Sequence, residues 1–568
     1  MHFAGFCRRS LPDAPAELRN TRGSRVHHKG GSVPNVRLSL LGLAAGTVLL
    51  MGCTSAREWW CNGLKVGPNY RRPPAPVADR WIDADNPHVR SEATDYSYWW
   101  TEFKDPVLNE LVYTAYEQNL PLKVAGLRIL EARARRGFAV GELFPQTQEM
   151  TGAYNRITTS SNTRFGPFQS PKVYLQRWST GFDAAWELDF WGRFRRLIEA
   201  ADANLNVQIE DYDDVLVILQ ADVAATYIEI RTLQQRLAFA RTNLDLQKET
   251  LKITSERQRI GVVTKLDVDQ AMAQVAITES AIPLLEKSLR QAENRLCILL
   301  GIPPQQLPPE IAEPRPIPQT PAEVVVGIPA ELLRRRPDVR RAERLAAYES
   351  ALIGFETSDL YPQIFITGNI GVESQKLSSL FELNSIAGSI GPSLRWNILN
   401  YGRILNKIRI QDALFRQRVV EYQDAVLRAN EEVENAIVAF LYDRERLEPL
   451  RVGVEASDSA AKLSMIQYKG GILDFQRVLD SQRTLVTEQD RLAEGRGNAA
   501  LSLIAVYKAL GGGWRMRYGP PAAEVGYVET VPQAGPPPGD AMPPQPNDGP
   551  FEPIPAPNDV PMPPEPLP

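Results

Sequence analysis

The chain has 568 residues, with 64 basic against 68 acidic side chains; the resulting charge of −4 lacks the basic excess of a nucleic-acid-binding surface. Its only histidines are His2, His27, His28 and His88, so the long remainder lacks both the usual general base and the usual transition-metal ligand. Cys7, Cys53, Cys61 and Cys297 form no CxxC pair and no metal-ligand spacing, which argues against a disulfide framework or a zinc module.

The first element in chain order is an apolar run, Leu38 to Met51, preceded by Arg37 and closed by Gly52-Cys53. A positive flank, a short apolar stretch and small residues at its end describe a secretory signal, too short for a comfortable membrane-spanning helix. The tetrapeptide Leu50-Met51-Gly52-Cys53 resembles the lipobox of bacterial lipoproteins. That resemblance implies a diacylglyceryl group on the Cys53 thiol, and Thr54 rather than Asp after it implies sorting to the outer membrane. An ordinary signal peptide with an incidental cysteine is the plainer alternative. Residues 1–52 are thus the signal region with a long N-terminal extension, and 53–110 a lipidated segment. Beyond it no stretch reaches the ~18 apolar residues of a spanning helix, so a body that crosses a membrane must do so as strands.

The body contains an internal repeat. Trp186-Glu-Leu-Asp-Phe-Trp-Gly192-Arg193 recurs as Trp396-Asn-Ile-Leu-Asn-Tyr-Gly402-Arg403 at an offset of 210, which also relates Tyr212 to Tyr422, Asp214 to Asp424 and Gly261 to Gly471. Upstream, Leu143-Phe-Pro-Gln146 answers Leu360-Tyr-Pro-Gln363 at an offset of 217; the extra residues fall in a polar stretch, Thr158 to Lys172, read as a loop. Two repeats follow, 111–300 and 336–513, joined by a Pro-rich connector, 301–335, and trailed by a Pro-rich tail, 514–568, that cannot bury a core.

Before each Gly-Arg the pattern has period two. Trp178, Phe182, Ala184, Trp186, Leu188 and Phe190 alternate with Ser179, Gly181, Asp183 and Glu187, and Ile386 to Ile398 and Ile364 to Val372 do likewise, whereas Gln148 to Arg156 alternate poorly. Such runs of about ten residues suit a transmembrane β-barrel, and equally the strands of a soluble sandwich. After each Gly-Arg the period is helical. Val223, Thr226, Ile230, Leu233, Leu237, Ala240, Leu244, Gln247 and Leu251 trace a heptad seam, and no glycine occurs between Gly192 and Gly261. Helices are expected over about 194–260 and 266–300, then from Arg403 with a weak interruption near Pro449 and Gly453, and from Phe475 to Leu510.

Taken in order, these segments resemble the TolC/OprM-type outer membrane factors, in their NodT-like lipoprotein branch, over about residues 50 to 513. The motifs that carry the resemblance include Val66-Gly-Pro-Asn-Tyr70, Trp81, Trp99-Trp100, Asp105-Pro106, Asn119, both Gly-Arg pairs, Arg335-Arg-Pro-Asp-Val339 and Val478-Leu-Asp480. The resemblance implies an α+β membrane protein: a trimer whose chains each give four strands to one 12-stranded transmembrane β-barrel, continued by a long periplasmic α-helical barrel. It implies a passive exit duct for small molecules in the outer membrane, lipid-anchored at its periplasmic face and served by a periplasmic adaptor and an inner-membrane transporter. No catalysis, no cofactor beyond the Cys53 lipid and no nucleic-acid partner are expected. The helix ends at Gly261, Leu266, Gly471 and Phe475 are expected to dock the adaptor. Asp480, Arg477 and Asp267 are candidates for the periplasmic aperture, although each is also readable as an ordinary solvated helix residue. Gly192, Arg193, Gly402 and Arg403 mark the barrel-to-helix junction, as structural pivots or interfacial anchors. A secreted enzyme on the same scaffold, or a coiled-coil structural lipoprotein without a pore, remain as alternatives.

Overall fold

A computed structural model describes residues 56–518, except 93–94, 159–163, 166–167, 170–173 and 322; Cys53 and the tail beyond Tyr518 lie outside the described residues. After a short helix, α1 (Ala56–Cys61), the chain forms α2 (Pro106–Gln118) and α3 (Leu120–Gly141). Strands β1 (Thr147–Thr158) and β2 (Tyr174–Leu188) follow, then α4 (Arg193–Arg259) and α5 (Lys265–Leu299). The second half repeats this series. It runs α6 (Pro337–Ser358), β3 (Gln363–Ser374), β4 (Ile386–Arg395), α7 (Arg403–Glu445), α8 (Leu447–Lys469) and α9 (Phe475–Ala509).

The repeat reaches further than its motifs. Helices α3 and α6 both have 22 residues and begin 217 residues apart, and the starts of α4 and α5 recur 210 residues later in α7 and α9. The 67 residues of α4 make one rod of about 100 Å at ~1.5 Å per residue. Its counterpart is divided at Arg446, three residues before Pro449. Pro449 has no N–H for the carbonyl of Glu445 and its ring crowds that carbonyl, so the ladder fails one turn upstream of the proline. Gly453, expected to share in that interruption, stays inside α8. The stretch between β1 and β2, read as loop, carries a short ladder pairing Arg164 with Gln169 and Phe165 with Phe168.

Most of the core lies midway along the helices. Along the heptad seam of α4, Val223, Thr226, Ile230, Leu233, Leu237, Leu244 and Gln247 are buried, and Ala240 and Leu251 are half-buried. The N-terminal segment packs across it. Trp99 stacks on Tyr507 with ring centroids 5.4 Å apart, and the Trp81 indole donates to the carbonyl of Gly327 at 2.9 Å. Asp105 caps α2 through the Val107 amide at 2.9 Å while its other oxygen accepts from the Tyr227 hydroxyl at 2.6 Å. Asn119 caps α3 through the Leu122 amide and ties it to the carbonyl of Leu299. The tryptophans and capping residues of the sequence motifs are therefore structural.

An arginine clamp fixes α6 against α4. Arg340 pairs with Glu210 and Asp213, Arg341 with Asp211 at 2.6 Å, and Arg336 with Asp338 and Glu432. Asp213 is fully enclosed; burial pushes its carboxyl up to about 7, although Arg517 and Arg340 favour the charged form. Removing one partner of such a set strands the others without compensation. Arg340→Ala should destabilise the fold by about 3–5 kcal/mol, read as a lower temperature for loss of native structure, whereas Arg451→Ala on an exposed ion pair should be near neutral.

Candidate functional site

The four strands pair antiparallel in the order β1-β2-β3-β4, so each strand pair is also sequential in the chain. Register aligns Met150, Phe182 and Ile370 on one face, with Trp186 beside Ile366 and Leu188 beside Ile364 and Leu394. The opposite face aligns Glu149, Asp183, Asn369 and Ser389, with Ser179 beside Glu373 and Ala185 beside Thr367. Thr151 donates to Asp183 at 2.9 Å, Ser389 to Asn369 at 2.8 Å, and Arg177 pairs with Glu373 on that polar face.

Among the described residues no second layer covers either face. Phe182 is 60% and Ile390 83% exposed, so the apolar face has no second layer beneath it. A soluble sandwich hides that face in its core; here it stands bare, with a polar face behind it and open edges at β1 and β4. This is the wall of a membrane barrel, apolar towards lipid and polar towards a lumen. Among the described residues no helix is long and apolar enough to cross a membrane, and no cluster of three His, Cys, Asp or Glu side chains is placed to hold a metal.

The junction residues lie between strand and helix. Gly192 and Gly402 both have φ of 79°, a left-handed bend that turns the chain from sheet to helix axis. Asp189 caps α4 by accepting from the amides of Phe194 at 3.0 Å and Arg195 at 3.2 Å. Its repeat position is Leu399, and at the second junction Asn400 accepts from the Gly402 amide instead. Arg193 pairs with Asp359 and lies 4.7 Å over the Phe355 ring, whereas Arg403 donates to the carbonyl of Asn400 at 3.2 Å.

At the far end, Gly261 and Gly471 have φ of 78° and 73°. Each closes its helix by the same pattern: Val262 donates to the carbonyl of Arg257, and Ile472 to that of Gln467, both at 2.9 Å. The Arg257 guanidinium joins the two tips, lying 4.6 Å over the Tyr468 ring. Thr264 and Asp267 form a reciprocal capping box at the start of α5. The Asp267 carboxylate is thus committed to its own helix end. Its repeat equivalent is Arg477, because in the second half the carboxylate has moved to the cap itself, Asp474. Phe475, expected among the docking residues, is buried against Tyr468, Val478, Leu479 and Ala271 and holds the tip together instead. The exposed apolar residues of the tips are Ile260, Val262, Leu266 and Ile472. Asp480 and Arg477 lie on the exposed side of α9, where Asp480 accepts from Gln476 at 2.9 Å.

The family model for outer membrane efflux proteins matches residues 111–302 and 328–512. The chain belongs to the outer membrane efflux protein family. It is 30% identical over 457 residues to nodulation protein T of Rhizobium leguminosarum bv. trifolii, covering 80% of this chain and 95% of that protein. It is 29% identical over 461 residues to the toluene efflux pump outer membrane protein TtgF of Pseudomonas putida, covering 80% and 95%. The solved outer-membrane channel OprN superposes with a TM-score of 0.74 at 33% identity, over 79% of this chain and 99% of that one. The fold is that of the family's trimeric channels, a β-barrel with four strands from each chain continued by a long helical barrel. The chain is an outer membrane channel of tripartite efflux systems, which resolves the strand pattern towards the membrane barrel rather than the sandwich.

Two tests follow from the junction and the tips. A Cβ on Gly192 would come within 2.8 Å of the Lys65 backbone, whereas Gly402 has only the Asn406 side chain, at 3.9 Å. Gly402→Ala should therefore cost about 1–2 kcal/mol of strain, and Gly192→Ala distinctly more, measured as heat resistance of the assembled protein. Asp267→Ala, which removes the acceptor for the Thr264 amide and hydroxyl, should cost about 1 kcal/mol of stability and leave single-channel conductance unchanged.

Proposed function

We propose that three copies of this chain close one barrel and one helical conduit, and that solutes handed over by an inner-membrane pump and a periplasmic adaptor leave through it passively. The observation that carries this reading is the bare two-faced sheet with open edges at β1 and β4. Hydrocarbon cannot hydrogen-bond those edges; pairing β4 of one copy with β1 of the next removes them all. The tips around Gly261, Leu266 and Gly471, with their exposed Ile260, Val262 and Ile472, dock the adaptor, and Phe475 keeps that surface in shape. The chain acts without catalysis or cofactor. Cys53 bears the lipid that places the N-terminus at the periplasmic face of the outer membrane.

At the periplasmic mouth Asp480 supplies the constricting charge. It has no acidic counterpart in the first repeat, where the position is Gln270, so a trimer carries three such carboxylates. A ring of carboxylates on a threefold axis favours cations, and Arg477 one turn away opposes it. Purified protein in planar bilayers should form discrete channels and run as a heat-modifiable trimer on gels; neither would leave the duct without support. Asp480→Ala should shift the reversal potential in a salt gradient towards anions, and Arg477→Ala towards cations. Unchanged reversal potentials would remove both residues from the aperture.

A further inference from the structure

Helix α1 has no part in the barrel wall, the conduit or the tips. Its sequence, Ala56-Arg-Glu-Trp-Trp-Cys61, places two adjacent tryptophans in unlike settings. Trp59 is half-buried, with ring centroids 5.2 Å from Phe190 and 5.5 Å from Trp191. Trp60 is 72% exposed. The helix is held firmly. After it the chain turns back through Gly63 and Leu64, both at positive φ, and Leu64 donates to the carbonyl of Trp59 at 2.9 Å. Arg195 then donates to the carbonyls of Gly63 at 2.6 Å and Leu64 at 3.0 Å. Arg196 donates to those of Val66 at 3.0 Å and Gly67 at 2.8 Å, and Lys65 pairs with Glu199. Two arginines and a glutamate of the first turns of α4 are thus spent on pinning residues 63–67, the strap that follows α1.

We infer that α1 is a membrane foot, with Trp60 seated at the headgroup–acyl boundary of the periplasmic leaflet. The occupant of this surface is lipid rather than a second copy of the chain, for a topological reason. The helix sits below the end of β2, an inner strand of the sheet, whereas the seams between copies fall at the edge strands β1 and β4. The apolar face of β2 runs through Phe182, Trp186 and Leu188, and two residues further on Phe190 meets Trp59, so the foot continues a surface already turned to lipid. Tryptophan is suited to that depth, its ring apolar and its N–H able to meet headgroups. Cys53 stands three residues before Ala56, a span of at most about 10 Å, so its acyl chains would enter the bilayer beside Trp60. The repeat makes the same point by contrast. Tyr401, the counterpart of Trp191, is 92% exposed, with no strap over it among the described residues, and it follows the edge strand β4. The inference rests on the membrane-barrel reading and on the lipid at Cys53.

The test places the photo-reactive residue p-benzoylphenylalanine at single positions of the full-length protein in outer-membrane vesicles, with heat-modifiable trimer confirming assembly. Trp60→p-benzoylphenylalanine should give phospholipid adducts by mass spectrometry. Phe182→p-benzoylphenylalanine, on the apolar face of the sheet, should do the same. Ile82→p-benzoylphenylalanine is the water-facing control, since Ile82 is 82% exposed and its amide is held by Glu434 on α7. Lipid yield at position 60 should exceed that at 82 several-fold. Lipid adducts at 182 without any at 60, or cross-links from 60 to another copy, overturn the foot while the barrel stands. No lipid adduct at either 60 or 182 overturns the barrel reading itself. As a measurement without a bulky label, Trp60→Phe should reduce the fraction of tryptophan fluorescence quenched by brominated phospholipid; an unchanged fraction also overturns the foot.

Discussion

A strand edge inside hydrocarbon has no solvent to satisfy its amides and carbonyls, and the rest of this protein is arranged around that constraint. Four strands with apolar and polar faces cannot stand alone in a bilayer, because β1 and β4 each present an unpaired row. Closure with other copies satisfies every row at once. The same closure makes use of helices too long for any single-chain core, since a rod of 67 residues must find its neighbours along its whole length. Sheet and helices are therefore two parts of one assembly problem, posed at both ends of each repeat.

The join between them depends on backbone freedom. Gly192 and Gly402 adopt the same left-handed bend, yet the two halves secure it differently. In the first, Asp189 caps the helix and the strap from Gly63 to Gly67 is pinned over it by Arg195 and Arg196. In the second, Leu399 cannot cap, Asn400 substitutes, and the junction is left open. The duplicated halves have thus diverged where the N-terminal segment is attached, while α3 and α6 keep 22 residues each and α5 and α9 keep 35 each. At mid-height the arginines of α6 lock α4 by charge, and at the tips Arg257 and Phe475 hold two hairpin ends together. Buried ion pairs of this kind fix how the helices sit against one another more than they add net stability.

Much of this was legible in the residues themselves. The switch from period two to helical period at each Gly-Arg, the heptad seam through Val223 and Ile230, and the stops at Gly261 and Gly471 are local signals. Each rests on the spacing of apolar side chains or on a glycine's access to positive φ, which neighbouring residues set without help from the fold. Asp267 lies only three residues from Thr264, yet a carboxylate near a helix tip reads as readily as an aperture charge, and only the geometry shows its cap. The strand alternation between Trp178 and Leu188 was equally clear, but it describes a sandwich as well as a barrel.

What the sequence by itself determined was therefore the inventory and its duplication: two strand pairs, two helical hairpins, their breaks, and a chain without catalytic histidine in its body. Tertiary structure decided which surfaces are covered. It left the apolar face carrying Phe182 and Ile390 bare and buried Phe475, which was expected at the docking surface. It also drew Arg340 and Arg341 onto the acids at 210–214. The physical reason is that periodicity is fixed by residues two to four apart, whereas burial and charge pairing depend on partners more than a hundred residues away. Those partners meet only when the chain has folded.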